Sequence, residues 1–525
     1  MVALRLFYEA DGLKYSEERD FPKFLVEDNE SWVELHFTLN KSEQAQVKND
    51  YLLPDGTLKV RRLFKSDDKQ KVKAGQSNIF AYEGGILSNN LFYGAKNVSQ
   101  AKLGSVVYIP AVGKTDEAFK LTGPSPFRNL LNMVMKEAVV SSQSYEDLSK
   151  AIGDFDSSFR KETTRDGVSV NGLVDELNSE LDTWGVSLGV DINPMKPEEI
   201  VKALLSYHLQ DVQLGGEKLQ ADAHGQGLQR HLIFTVIKLA AKYKNGKKGK
   251  SKEFNPELNL LLFEEPEVFL SPPQQDTLGY SLRDLTKSET QQVCITSHSS
   301  HFVSKQLFDI PCLIKVRRDD GCSSTWQICQ ESLERLCDEN MGLYRAMCEF
   351  EGKELNEEGK LEDESFLYHV WLDAERTSLF FAHHVIICEG ATEKAFLDHL
   401  KDTQWTDLRD GKVYFLDSLG KYNIHRFMKL CGELGIRHSV IMDSDYDRNK
   451  QAVINKFIDE HQNEWTTSVF KFDGDFEEYL DIPVPTRVGS HQKPLNALKR
   501  LIRGEIEGKK LSRLKEIVLH NISPD

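Results

Sequence analysis

Between Val385 and Leu400 the chain reads VIICEGATEKAFLDHL, an apolar run that stops on Glu389 and Gly390. The run has the texture of a buried strand, Gly390 permits a sharp turn, and Glu393 falls in the first turn of a helix. A carboxylate at a helix start is also electrostatically favourable, so Glu393 has a plain helix-start reading beside a functional one. Farther on, HSVIMDSDYDRNK ends an apolar strand on Asp443 and Asp445, with Asp447 in a looser position. Two residues apart on a continuing strand, Asp443 and Asp445 would point to the same side. Carboxylates gathered at strand ends suit metal binding, and hard oxygen ligands select magnesium or manganese over zinc.

A second group of acids lies earlier. NLLLFEEPEVFL (Asn259–Leu270) is an apolar strand ending in Glu264 and Glu265. One such acid can hold magnesium against nucleotide phosphates while the next orients the attacking water. HGQGLQRHLIF places Gly225, Gln226 and Gly227 at the opening of a helix, a form that presents backbone N–H groups to phosphate. QQVCITSHSSHF ends another apolar strand on Thr296, Ser297 and His298, where a histidine can sense a terminal phosphate. No complete G-x-x-x-x-G-K-[ST] occurs. Gly113-Lys114-Thr115 has Tyr108 at the first-glycine position, and GKKGKS (Gly246–Ser251) lacks the spacing, so both are read as decoys.

The elements that must carry these residues follow from pattern. Residues 1–123 read mainly as β structure, with SWVELHFTLN and TLKVRRLFK alternating and GSVVYIPA continuous. Residues 124–210 space apolar residues by three and four, a helical insertion. Strands and helices alternate over 211–330, a charged helical connector covers 331–378, and alternation resumes over 379–525. The expected fold class is α/β in at least two domains.

Bulk properties set limits. A net charge of −16 argues against a surface coated for nucleic acid, yet TRVGSHQKPLNALKRLIRGEIEGKKLSRLK (Thr486–Lys515) is locally basic. No run approaches a membrane span, and the start lacks a signal-peptide pattern. The eight cysteines form no C-x-x-C pair and read as buried free thiols in a reducing cytoplasm.

The order helix opening, acidic strand end, histidine strand end resembles ABC-type ATPases, and the strings EEPEVFLSPPQQ and ITSHSSHF resemble the OLD (overcoming lysogenization defect) family. That resemblance covers nearly the whole chain. It implies an ABC-type ATPase lobe with an inserted helical dimerisation region, then a C-terminal TOPRIM domain. It implies that Glu389, Glu393, Asp443 and Asp445 are metal ligands, with an acid of FDGDFEEYL assisting; Glu477 matches best and Glu478 rivals it by one register. Gly420 and Lys421 resemble the family's glycine-containing loop, and Lys493 resembles its lysine near the scissile phosphate. Gly225–Gly227 would act on a partner's nucleotide, so a homodimer or larger homo-oligomer is expected.

The opening MVALRLFYEADG resembles the helix that follows the family's phosphate loop, so the chain as written is expected to bind and hydrolyse ATP poorly. The chemistry implied is phosphodiester cleavage of DNA with two Mg2+ or Mn2+ roughly 4 Å apart, a lysine neutralising phosphate charge. The implied setting is cytoplasmic antiphage defence of the Gabija or retron type, with a protein or reverse-transcribed nucleic acid as partner and no membrane. Two other readings stand beside it: a sensor or scaffold with a vestigial metal site, and a topoisomerase or primase.

Overall fold

The computed structural model describes residues 1–24, 26–111, 143–159, 162–163, 167, 169–182, 185–189, 208–212, 215–219, 224–244, 254, 256, 258–303, 307–319, 322–355, 360–409, 412–445, 449–483 and 492–522. Gly113–Thr115, Gly246–Ser251, Asp447 and the expected helices around residues 126–140 and 196–207 lie outside them. The chain divides into two compact units, Met1–Ser297 and His298–Asp525.

In the first unit, α1 (Val2–Tyr8) precedes an antiparallel sheet of β1 (Ser31–Thr38), β2 (Thr57–Lys65), β3 (Ile79–Glu83) and β4 (Ile86–Leu91), in that order. Alternation turns Leu58 and Val60 of β2 inward with Ile79, Ala81, Phe7 and Phe92. Arg62 also points inward. Its guanidinium donates to the Leu6 and Phe7 carbonyls at 2.9 and 2.8 Å and pairs with Glu9 at 2.5 Å. A buried cation is tolerable because the last carbonyls of α1 and one carboxylate satisfy it.

A second, parallel sheet runs in the order β5 (Ser105–Ile109), β8 (Asn259–Glu264), β9 (Gln291–Thr296). Between β5 and β8 lie α2 (Gln143–Phe159), α3 (Val170–Leu181), a short pair of β6 (Leu209–Asp211) with β7 (Glu217–Leu219), and α4 (Gln226–Lys244). After β8 comes α5 (Pro272–Thr286), whose start has proline in the first turn and Gln274 Oε1 accepting from the Ser271 N–H at 2.9 Å.

In the second unit two short 3-10 turns (Ser300–Phe302 and Leu307–Cys312) lead to a hairpin of β10 (Lys315–Asp319) and β11 (Cys322–Trp326), followed by α6 (Gln330–Glu351) and α7 (Lys360–Trp371). Its centre is a parallel sheet in the order β13 (Val413–Asp417), β12 (His384–Cys388), β14 (Arg437–Asp443), β15 (Thr466–Phe472). Successive residues face opposite sides, so Val385, Ile387, Val440 and Met442 pack with α6, α7, α9 (Ile424–Glu433) and α10 (Asn449–Glu460). Ile386, Cys388, Phe415 and Ile441 pack on the other side with α8 (Ala391–Thr403), α12 (Lys493–Ile502) and α13 (Gly508–Ile522). The charged helices after residue 330 are therefore a layer of this core.

This winding creates the site. The helix leaving β12 goes to one face of the sheet, and the helix leaving β14 goes to the other. The crevice at the carboxyl ends of β12 and β14 is thus a topological switch point, where open α/β sheets bind ligands. Glu389 and Asp443 stand there.

The same core buries three histidines. Burial holds His384 and His438 down to about 4 and His425 well below its ordinary range. A lowered histidine contributes stability above its unfolded pKa and loses it as pH falls through the folded value. The second unit is expected to weaken from pH 6.5 toward about 4, read as a falling urea midpoint; His438→Gln should flatten that decline.

Of the eight cysteines, Cys337, Cys348, Cys388 and Cys431 are buried, but Cys312, Cys322 and Cys329 are exposed and Cys294 is intermediate; all are free thiols. The expectation of uniformly buried thiols fails at Cys312 in the turn before the hairpin, at Cys322 on the hairpin and at Cys329 at the start of α6. Among the described residues no helix is long and apolar enough to cross a membrane.

Candidate active site

The carboxyl end of β12 is fastened to its neighbours by backbone. Glu389 N–H donates to the Ile441 carbonyl at 3.1 Å, extending the pairing with β14 by one residue. The Glu389 carbonyl accepts from Gly420 N–H at 2.8 Å and from Ser418 Oγ at 3.0 Å. Its carboxylate accepts the Asp443 N–H at 3.1 Å. The Gly390 N–H donates to Glu393 Oε2 at 3.1 Å, so Glu393 does act at the helix start. Glu393 is nonetheless only 5% exposed.

Burial, then the charges of Asp443, Glu389 and Glu477, push the Glu393 carboxyl up to about 8. Asp443 is pushed to about 7 by burial and by Glu389, although the Phe476 N–H at 2.8 Å favours its charged form. Glu389 is raised by burial against the opposing pull of Lys421. Glu393 and Asp443 thus each sense the neighbouring acids Glu389 and Glu477, and the four share one low-dielectric crevice.

The segment after β15 closes the far side. Asp475 caps the short helix α11 (Phe476–Tyr479) by accepting the Glu478 N–H at 2.7 Å. That turn buries Glu477, 3% exposed, and leaves Glu478 at the surface. Lys493, the first residue of α12, reaches Glu477 Oε2 at 3.3 Å. Burial works against the Lys493 ammonium, but Glu477, Asp475 and Asp443 outweigh it and raise its pKa. Among the described residues the buried Glu477 Oε1 has no hydrogen-bond partner.

Asp445 departs from the simple strand picture. β14 ends at Asp443, and Asp445 takes φ +44°, in the left-handed region. The strand does not continue, so side-chain alternation no longer relates the two aspartates. Asp445 Oδ2 instead meets Lys421 Nζ at 2.9 Å.

A divalent cation fits this donor set. The acids are crowded enough to raise one another's pKa, one carboxylate oxygen is orphaned, and all donors are oxygens. Among the described residues no three acid, histidine or cysteine groups stand in ready-made ligand geometry. The acids are turned toward internal donors: Gly390 N–H, Asp443 N–H, Phe476 N–H, Lys421 and Lys493.

In the first unit, Glu264 closes β8 opposite Thr296, and its Oε2 accepts from Tyr108 Oη at 2.6 Å. Tyr108 belongs to β5, which explains why the apparent phosphate-loop spacing around it is a decoy: the position is interior to a strand. Glu265 N–H donates to the Thr296 carbonyl at 2.7 Å while its backbone turns to φ +40°. Gly225 and Gln226 are exposed at the start of α4. Gly227 has a packing reason to be glycine, since a Cβ there would lie 2.7 Å from the Phe269 carbonyl. Gly227→Ala is expected to cost about 1–3 kcal/mol of stability in denaturant titration, because backbone must move. His298 is exposed and is the first residue of the second unit.

Comparison with known proteins agrees with this two-part anatomy. The AAA ATPase domain family matches residues 20–303, and the overcoming lysogenization defect protein-like TOPRIM domain matches residues 380–445. This chain belongs to the OLD family of ATPase–TOPRIM proteins. The Old nuclease of Escherichia phage P2 is 21% identical over 412 residues, covering 78% of this chain and 64% of that protein. The chain therefore spans less than two thirds of that relative's length. The crystal structure of Stu0660 of Streptococcus thermophilus aligns with a TM-score of 0.30 at 9% identity, over 50% of this chain and 62% of that one, too slight a likeness to carry an argument.

In this OLD-family chain the TOPRIM match ends on Asp445, so Glu477 and Lys493 lie beyond it and join the site only through the fold. One residue of the crevice was not assigned a role from sequence. Lys421 is 3% exposed, yet its ammonium lies among Asp443, Asp445 and Glu389. The signal for it was the L-G-K turn after an apolar strand, but a lysine in a turn ordinarily reads as solvated.

Proposed function

We propose that this chain is a Mg2+- or Mn2+-dependent DNA nuclease whose ATPase domain regulates cleavage. The observation that carries this reading is the convergence of Glu389, Glu393, Asp443 and Glu477, from three separate segments, into one buried crevice that also contains an orphaned carboxylate oxygen. With Asp445, these residues would hold the metal. Bound cations would supply an activated water and neutralise the leaving oxygen. Lys493, half-buried beside Glu477, would offer positive charge to the scissile phosphate. The nuclease name of the phage P2 relative supports the same reaction class.

For the ATPase domain, Glu264 and Glu265 would serve magnesium and the attacking water, His298 would sense the terminal phosphate, and Gly225–Gln226–Gly227 would meet a partner chain's nucleotide, ATP. Self-association is supported by the exposed apolar residues Leu148, Phe155 and Phe159 of α2 and Leu173 and Leu177 of α3. A homodimer or larger homo-oligomer is the expected state in light scattering at micromolar concentration; a monomer there would count against it. The setting we infer is antiphage defence in the cytoplasm, with a defence-system protein or reverse-transcribed nucleic acid as partner.

The deciding experiment is nicking of supercoiled plasmid with Mg2+ or Mn2+, with and without ATP, beside Asp443→Ala. Metal-dependent nicking lost in the variant supports the reading. Nicking that survives Asp443→Ala overturns it.

A further inference from the structure

Lys421 is a buried cation of the crevice that the reaction chemistry above does not use. Its side chain is only 2% exposed, and burying an ammonium is costly unless oxygens surround it. Nζ donates to the Asp443 carbonyl at 2.7 Å and to Asp445 Oδ2 at 2.9 Å, and lies 3.6 Å from Glu389 Oε2. These are one carbonyl and two carboxylates, the oxygen set a hard divalent cation takes.

The loop that carries it is built to hold that position. Leu419 and Gly420 take φ +60° and +107°, conformations that reverse the chain immediately after β13. Ser418 N–H donates to the Cys388 carbonyl at 3.1 Å, and Ser418 Oγ and Gly420 N–H both donate to the Glu389 carbonyl. Asp417 Oδ1 accepts the Leu419 N–H at 2.8 Å. The backbone that carries the lysine is therefore anchored to the same strand end as Glu389.

The crevice has two electrostatic halves. Glu393 and Glu477 are buried acids, Asp443 accepts the Phe476 N–H, and the cation at their margin is the half-exposed Lys493, 3.3 Å from Glu477. Glu389 and Asp445 already share a resident positive charge, Lys421. We propose that Lys421 is a positioning residue that stands in for one of the two divalent cations: it holds Glu389 and Asp445 together in the metal-free protein and competes with the ion that would take them. This rests on the two-metal reading above and adds a consequence to it. The two metal positions are unequal, and the weaker is the one Lys421 contests.

The test uses the full chain and Mn2+ alone, counted by electron paramagnetic resonance and titrated calorimetrically without DNA. The wild-type chain is expected to bind two Mn2+ with distinct affinities. In Lys421→Met the weaker site tightens by roughly tenfold while the tighter site holds, because one competing unit charge is gone. Lys421→Arg keeps the charge and keeps the weak site weak. Asp445→Asn weakens the same site alone and serves where Lys421→Met fails to fold. A purely structural lysine would instead lower the melting temperature and weaken both sites together. Two Mn2+ sites with affinities unchanged in Lys421→Met, or both weakened, overturn this inference and leave the nuclease reading standing. Wild-type protein that binds no Mn2+ overturns both.

Discussion

Asp443→Asn is expected to lower metal-dependent plasmid nicking by roughly 10³-fold or more, the scale on which removing one member of a concerted catalytic unit acts. The substitution is nearly isosteric. An asparagine oxygen can still accept the Phe476 N–H that Asp443 accepts at 2.8 Å, so the end of β14 and the turn at Phe476 stay joined. What disappears is a negative charge that repels Glu389, Asp475 and Glu477, at the point where β12 and β14 part their helices. The loss should appear in turnover with Mn2+ as well as Mg2+, since both need oxygen ligands. Asp447→Asn, at a position the reading gives no ligand role, is the control. Equal loss in the two variants would remove the special status of Asp443.

Glu393→Gln is expected to make the metal-free protein more stable at pH 8 while abolishing cleavage. The Glu393 carboxyl is raised from 4.5 to about 8 and Asp443 from 3.8 to about 7. A folded-state pKa above the unfolded one means that folding takes up protons. The contribution is fully present below the unfolded values and is lost as pH rises through about 7 and then 8. At pH 8 and above, the metal-free chain therefore holds repelling carboxylates at its own expense. Glutamine keeps the acceptor for Gly390 N–H and discards the charge.

A gain on the order of 2 kcal/mol at pH 8 is expected for this variant, discounted from the full shift because the acids are coupled. For a unit of this size that is a melting transition roughly 4–8 °C higher. At pH 4 the two proteins should melt alike. Adding Mn2+ at pH 8 should stabilise wild type more than the variant and so reverse the order, because the ion replaces the protons. A Glu393→Gln chain that is less stable than wild type at pH 8 without metal would show that the carboxylates do not repel in the folded state. Together the two experiments separate the chemistry of the crevice from the strain of assembling it, since one reads turnover and the other reads folding.

The sequence by itself determined the parts that depend on local pattern. Apolar runs ending in acids placed Glu264 and Glu389 at strand ends, because a strand buried on both faces must be continuously apolar and can carry charge only where it emerges. The Gly390 turn and the helical spacing that follows set Glu393 in a first turn. The α/β alternation of the C-terminal part was legible for the same reason.

The tertiary structure decided what depends on distant segments meeting. It set the charged helices after residue 330 into the core, since their apolar faces are complete only against β12 and β14. It turned Glu477 inward and Glu478 outward, a choice between adjacent residues that pattern leaves open and the Asp475 cap resolves. It ended β14 at Asp443, so that two-residue spacing no longer governed where Asp445 points. And it brought Lys421, 22 residues before Asp443, under the carboxylates. A turn lysine reads as solvated until a fold surrounds it with oxygens, because only the fold can supply the partners that make burying a charge tolerable.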